Sequence, residues 1–476
     1  MSHLCITVRW MDDRYHGLLD REGPPEWPPS PFRLFQALVA GVARSGELDS
    51  ELRASLEWLE SRPAPVIIAP RACNGQVIKR FVPNNDGDKV PDRQKRLTAK
   101  TSRPTIMLGA PEIHYLWPIG EGAPETPGVI RAAHLLSCFG WGIDMAYGDG
   151  RTLDDEAVGG LEGIRWFPNP GSFRDDARRR IPIGGSMMDL ARAHEAALNR
   201  IEHGQPLQIV EKPKVFDFVP YVSAEEPIGR PYVVFALQKT TGDSYSYPHA
   251  QLIHIAGMTR CAAIKTMKLF PPEGKGEEWL KSFVRGMKPQ GETDHKQFSY
   301  VPLPTLGHQH ADAMIRRVMI VAPFGCEAEL RHLAGQLDGE QLQPEDSGER
   351  PILDCLRSDG VTRQYLGSSK TWASVTPVIL PGHDDHKPEK TIKLIERALR
   401  QSGMEQGCQF TWSALPNFNN CLTAYKPNER TIGYFRPGHL EGLTAVHLRI
   451  VFEHPVAGPL IVGAGRHCGL GVFAAL

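Results

Sequence analysis

The sequence specifies an α+β protein in two mixed units, and three observations predict it. The chain has 476 residues, more than one ordinary core holds at about 150 residues per domain. Stretches with period-two alternation interleave with stretches of helical period in both halves, each half opening strand first and helix next. Between them, residues 211–231 carry four prolines and no sustained period, which sets a boundary at 225/226.

Leu4, Ile6, Val8 and Trp10 alternate with Cys5, Thr7 and Arg9, the pattern of a strand with one buried face. The turn-rich GPPEWPPSP ends in Ser30 as N-cap and Pro31 at the first helical position. Phe35, Leu38, Val39 and Val42 then fall on one helical face. Residues 63–128 are Pro-rich and irregular. A further helix spans 184–203, with Met188, Ala191, Leu198 and Ile201 toward the core. In the second half, the spacing predicts a strand over Tyr232–Leu237, a helix over 248–268, a strand over Arg317–Val321 and a helix over 326–336. Next come a strand over Trp372–Leu380, a helix over 388–402, and a strand through Val446, Leu448, Ile450 and Phe452.

Composition bounds the function. Hydrophobic residues make 41% and charged residues 23%, which excludes a disordered chain. The formal charge of −1 excludes a histone-like or basic-tail nucleic-acid binder. That neutrality conceals segregation. Residues 89–103 hold six basic groups against one acid, and 149–162 hold five acids against one base, so a local RNA groove is compatible with a neutral whole. The nine cysteines are dispersed and never form a C-x-x-C pair, which argues against a structural zinc site or a disulfide framework and suits a reducing cytoplasm. The N-terminus carries no signal-peptide pattern, and no apolar run reaches the 18 or so residues that span a bilayer.

The sharpest local signal is GPLIVGAGRHCGLGVFAAL at 458–476. Gly458, Gly463, Gly465, Gly469 and Gly471 surround Arg466 and His467, so backbone amides, a guanidinium and an imidazole are positioned for a phosphate. The same glycines also fit a bulged hairpin closing a sheet. A second signal lies at 299–323, where His308, His310 and Asp312 are spaced by two, with Arg316 and Arg317 close behind. They suit a metal site, acid–base chemistry near a phosphate, or a polar turn. His295 is a further candidate, as are His249 and His254. Lys370 and Trp372 lie in a segment suited to a nucleic-acid surface.

WPPSPFRLFQALVAG, PLPTLGHQHAD followed by IRRV, SVTPVILPG and GPLIVGAGRHCGLGVF occur in this order and together resemble the CRISPR-associated type I-G (formerly I-U) family, which fuses a Cascade crRNA handle-binding subunit to a crRNA-processing endoribonuclease. The resemblance implies repeat-associated (RAMP) architecture: tandem ferredoxin-like, RRM-related domains with antiparallel sheets and a C-terminal glycine-rich loop that contacts RNA. Residues 1–225 would hold the crRNA 5′ handle, and 226–476 would be the repeat endonuclease. The implied partners are crRNA, CRISPR repeat RNA and the backbone and large subunits of a type I-G Cascade, with no cofactor, no metal and no membrane.

Such nucleases let the upstream 2′-hydroxyl attack in line, which requires a base, an acid and a cation. Histidine suits either proton role at neutral pH. The expected catalytic residues are His308 and His310, then His295. Arg316 or Lys370 would stabilise charge, and Gly463, Gly465, Arg466, His467, Gly469 and Gly471 would contact RNA. Arg285, Gly286 and Met287 stand where a Gly-His pair would be expected. Two alternatives remain: a crRNA-binding scaffold that does not cut, and a metallohydrolase using His308, His310 and Asp312, for which H-x-H-x-D-H would want histidine where Ala313 stands.

Overall fold

The computed structural model describes the chain except residues 1, 20–22, 47–48, 84–91, 93–95, 121–122, 170–176, 203–211, 288–295, 307–310, 344–349, 357–360, 405–406 and 428–431. Met1–Pro170 and Asp176–Glu225 form one compact unit, and Glu226–Leu476 form most of a second.

The N-terminal unit opens with β1 (Ser2–Trp10), α1 (Pro31–Ser45), α2 (Ser50–Glu60) and β2 (Val66–Ala69). β3 (Glu112–Ile119), α3 (Thr126–His134) and β4 (Ala146–Asp154) follow. The four strands lie in the order β4-β1-β3-β2 with antiparallel neighbours, which is the ferredoxin-like arrangement. β5 (Ile164–Pro168), β6 (Arg178–Ile181) and β7 (Asp217–Ser223) extend the sheet beyond β2, in the order β5, β7, β6. α4 (Ser186–Glu202) lies between β6 and β7 in the chain.

α1 starts where Ser30 is extended and Pro31 has a preset φ, and it stops at Gly46, whose φ of 74° gives a left-handed cap. Its face Leu34, Phe35, Leu38 and Val42 packs on Leu4, Ile6, Val8 and Trp10 of β1. Several details differ from the sequence reading. Residues 63–128, read as irregular, hold β2 and β3 of the sheet. β1 is central, so Cys5 and Thr7 are buried as well, Cys5 against Ile68 and Leu116. In α4 the inward residues are Met187 and Leu190, one position away from the expected Met188 and Ala191, and Met188 is 76% exposed.

The second unit contains two ferredoxin-like motifs where the sequence reading placed one domain. The first comprises β8 (Tyr232–Gln238), α5 (Leu252–Leu269), β9 (Ser299–Pro304), β10 (Ile315–Val321), α6 (Glu327–Leu337) and β11 (Ile352–Leu356), with strand order β11-β8-β10-β9. The second comprises β12 (Ser368–Ser374), α7 (Pro388–Gln401), β13 (Cys408–Ser413), β14 (Ala445–Ala457) and β15 (Phe473–Ala475), in the order β15-β12-β14-β13. Its second crossover has no α-helix, because the glycine-rich segment 458–472 stands in that place. The strand expected over Trp372–Leu380 breaks after Ser374 and resumes only at Val378–Ile379.

The packing explains why β10 reads IRRVMIV rather than alternating. Val318 and Ile320 face the helices of the first motif, beside Leu252, Ile255 and Leu333. Met319 and Val321 face the second motif, beside Tyr365, Val375, Ile461 and Val472. A strand covered on both faces has no polar side to show.

Candidate functional site

The glycine-rich segment is positioned by its own packing. Val462 N–H donates to Gly471 O at 2.8 Å, Ala464 N–H to Ile379 O at 2.8 Å, and Val472 N–H to Thr376 Oγ1 at 3.0 Å. A short 3-10 turn, Arg466–Cys468, sits between Gly463 and Gly469, which have φ of 98° and 89°. Side-chain space at these glycines is already filled: a Cβ on Gly463 would lie 2.6 Å from Ile379 O, and one on Gly469 would lie 2.7 Å from Pro302 Cδ. At these positions the glycines allow close approach of protein to protein.

Arg466 is different. It is 3% exposed, its Nη1 donates to Gly463 O at 2.8 Å, and its buried Nη2 has no hydrogen-bond partner among the described residues. Burial pulls its pKa down to about 10, and the charge of Arg230 acts in the same direction. Arg230 is likewise pulled down to about 10 by burial. The two cations are close enough for the charge of Arg230 to act on Arg466. His467 is tied to the first motif, Nδ1 lying 2.8 Å from Ser299 Oγ on β9.

The β9–β10 connection carries the second predicted group. His308 and His310 lie outside the described residues, as does His295. Asp312 accepts from Arg316 Nη1 and Nη2, both at 2.7 Å, and from Met314 N–H at 3.0 Å. The hydrogen bonds from Arg316 hold the Asp312 carboxyl at about 2. Arg316 is thus engaged in a bidentate pair with Asp312. Asn420 Nδ2 donates to Ala311 O at 2.7 Å. His249 feels the charge of Asp312, which raises its pKa against a larger lowering by burial. Among the described residues no group of His, Cys, Asp and Glu is placed to hold a metal ion.

Lys370 is exposed on β12, where the register against β14 shifts between Ser369 and Thr371. Such an irregularity turns a side chain out of the pleat. Arg285 and Gly286 end a short π-helical turn, Leu280–Val284, and Gly286 has a φ of 76°.

The sequence reading missed His16 and Asp144. They are 128 residues apart in the chain, yet in the N-terminal unit His16 Nδ1 lies 2.6 Å from Asp144 Oδ1, with both side chains buried. No local motif marks either residue, so only the fold brings them together.

Two other buried histidines give a pH prediction. Burial lowers the pKa of His114 and of His447, which is held by Ser374 Oγ at 3.0 Å and Leu422 O at 2.9 Å. Both stay neutral in the folded state, while the unfolded chain protonates near pH 6.5. Their contribution to stability is therefore complete above about pH 6.5 and is lost as pH falls from there through the folded pKa. The urea midpoint should drop between pH 7.5 and 5.5, and it should drop less in His447→Gln. Identical slopes in variant and parent would show that His447 does not contribute.

No helix of the described residues is long and apolar enough to cross a membrane. A family described as "CRISPR-associated protein, GSU0054 family" matches over residues 11–475. No curated protein matches the chain. Among solved structures, a CRISPR protein from Archaeoglobus fulgidus is similar at 13% identity, covering 35% of this chain and 71% of its own, with a TM-score of 0.21. A Cas6 product complex is similar at 12% identity, covering 52% of this chain and 98% of its own, with a TM-score of 0.23. The fold described above rests on this chain's own strand order.

Proposed function

Because the chain belongs to the CRISPR-associated GSU0054 family, we propose that it binds CRISPR repeat RNA and cuts it without a metal, as a crRNA-holding subunit of a type I-G Cascade. The single observation that carries this reading is the family match over nearly the whole chain. The geometry contributes the buried guanidinium of Arg466, whose Nη2 has no hydrogen-bond partner among the described residues, within the glycine-rich segment between β14 and β15. Burying a cation costs several kcal/mol, and an anionic ligand offsets part of that cost.

In this reading the 2′-hydroxyl upstream of the scissile phosphate attacks in line and leaves a 2′,3′-cyclic phosphate and a 5′-hydroxyl. His308 and His310 supply base and acid, with His295 as a further proton-transfer candidate. Lys370 and Arg466 supply positive charge, and Gly463, Gly465, His467, Gly469 and Gly471 shape the RNA-facing loop. Arg316, paired with Asp312, is the alternative charge stabiliser to Lys370.

Purified protein should cut its own repeat RNA in excess EDTA. His308→Ala and His310→Ala should each slow cleavage by about 100-fold to 10,000-fold, the usual worth of a positioned acid or base. Cleavage that stops in EDTA and returns with a divalent cation would favour metal-dependent hydrolysis through His308, His310 and Asp312. Intact RNA beside tight binding would favour a scaffold. Parent rates in both histidine variants would remove the site assignment and leave the activity standing.

A further inference from the structure

Three histidines among the described residues are buried: His16, His114 and His447. His447 spends both ring nitrogens on protein groups, Nδ1 on Ser374 and Nε2 on Leu422 O. His114 bonds Thr7 Oγ1 at 2.9 Å, and its Nε2 lies 3.7 Å from Glu112 Oε1. These two are structural. His16 alone of the three has a carboxylate within hydrogen-bond distance and borders a cavity.

The cavity measures 230 Å³ and opens at the end of β1, with Met11, Ile143 and Met145 forming apolar walls that are half or more exposed. Arg80 Nη2 donates to His16 Nε2 at 3.2 Å, so Nδ1 carries the proton and donates it to Asp144 Oδ1. Asp144 is itself fixed by the backbone N–H groups of His16 at 3.1 Å and Trp141 at 2.6 Å, and the Trp141 ring stacks on the imidazole at 5.8 Å. A carboxylate that holds one nitrogen and leaves the other as an acceptor toward a cavity is the arrangement a general base requires. The nearby Arg14 is engaged with Asp12, its Nη2 donating at 2.6 Å, which leaves Arg80 as the cation suited to meet an anion.

We propose that this cavity is a second acid–base site, acting on an RNA phosphodiester, with His16 as the catalytic base, Asp144 as its positioning residue and Arg80 as the phosphate-binding cation. The choice of RNA rests on the proposed function above. An entering phosphate draws Arg80 from Nε2. His16 Nε2 then takes the 2′-hydroxyl proton, the O2′–P bond forms and the P–O5′ bond breaks. The leaving O5′ takes a proton from a pocket water, and the resulting hydroxide is neutralised by the imidazolium. The products are a 2′,3′-cyclic phosphate and a 5′-hydroxyl. The apolar walls match the face of a nucleobase.

The test uses the full chain and uridine 3′-(4-nitrophenyl) phosphate, a small ester that needs no repeat recognition and whose leaving group needs no acid. His16→Ala should lower its cyclisation by about 100-fold or more, and added imidazole should restore part of the rate. Arg80→Ala should raise KM, while Asp144→Asn, which keeps the shape but misorients the ring, should lower kcat with KM retained. Circular dichroism checks folding, and the imidazole rescue separates lost chemistry from a lost fold. Unchanged cyclisation in His16→Ala, or no cyclisation by the parent, overturns the inference whatever happens to repeat RNA. Cyclisation that depends on His16 while repeat RNA stays intact would support this site and reject the processing reading.

Discussion

Replacing Arg466 with methionine should make the free protein more stable and its grip on repeat RNA weaker. The two effects have opposite signs because one charge causes both. In the free protein the guanidinium is 3% exposed, makes one hydrogen bond to Gly463 O and leaves Nη2 without a partner among the described residues. Methionine fills a similar volume without the desolvation cost, and replacing even buried ion pairs by apolar residues is often neutral or stabilising by about 1–4 kcal/mol. With RNA present the missing positive charge should reduce affinity about tenfold or more and make the salt dependence shallower. Arg466→Ala should weaken binding in the same way with the fold intact. A methionine variant that melts earlier and binds normally would make Arg466 a structural residue holding its loop.

Gly471→Ala should destabilise the C-terminal unit by at least about 3 kcal/mol, the sum of a left-handed backbone penalty and a direct collision. Gly471 has a φ of 73°, and a Cβ there would lie 1.8 Å from Val462 O, a backbone atom. Val462 is held to Gly471 O by its own N–H at 2.8 Å, so relief would require opening the pairing that closes the second motif. Gly403 provides the comparison: its φ is 79° and nothing lies within 4 Å of an added Cβ. Gly403→Ala should cost only the backbone penalty, about 1 kcal/mol. Equal losses in the two variants, read by urea unfolding, would contradict the collision argument.

The glycine-rich segment shows how much of the candidate site was legible in the sequence. Its composition announced a special backbone, and the backbone is special: Gly463, Gly469 and Gly471 all have positive φ. Composition alone could not say whether that backbone meets protein or phosphate. The Cβ positions show protein at the glycines, and Arg466 Nη2 is buried without a hydrogen-bond partner among the described residues. His308 and His310 were picked from spacing and lie outside the described residues, so their geometry adds nothing to that choice. Arg316 is expected from the sequence to stabilise charge, and the structure pairs it with Asp312 four residues earlier.

What the sequence determined by itself was local. The strand through Leu4–Trp10, the helix that Ser30 and Pro31 start, and α7 of Pro388–Gln401 all follow from periodicity and end signals, because each element's pattern is written within its own few turns. Only the tertiary structure decided how many motifs the second unit holds, since strand order depends on which strands meet across long loops. It also decided which polar groups are paired. His16 finds Asp144 across 128 residues, whereas Arg466 is buried with its Nη2 lacking a hydrogen-bond partner among the described residues, and neither outcome is encoded by neighbours in the chain. Burial and long-range pairing set the electrostatics of both candidate sites, and both arise only when the sheets close.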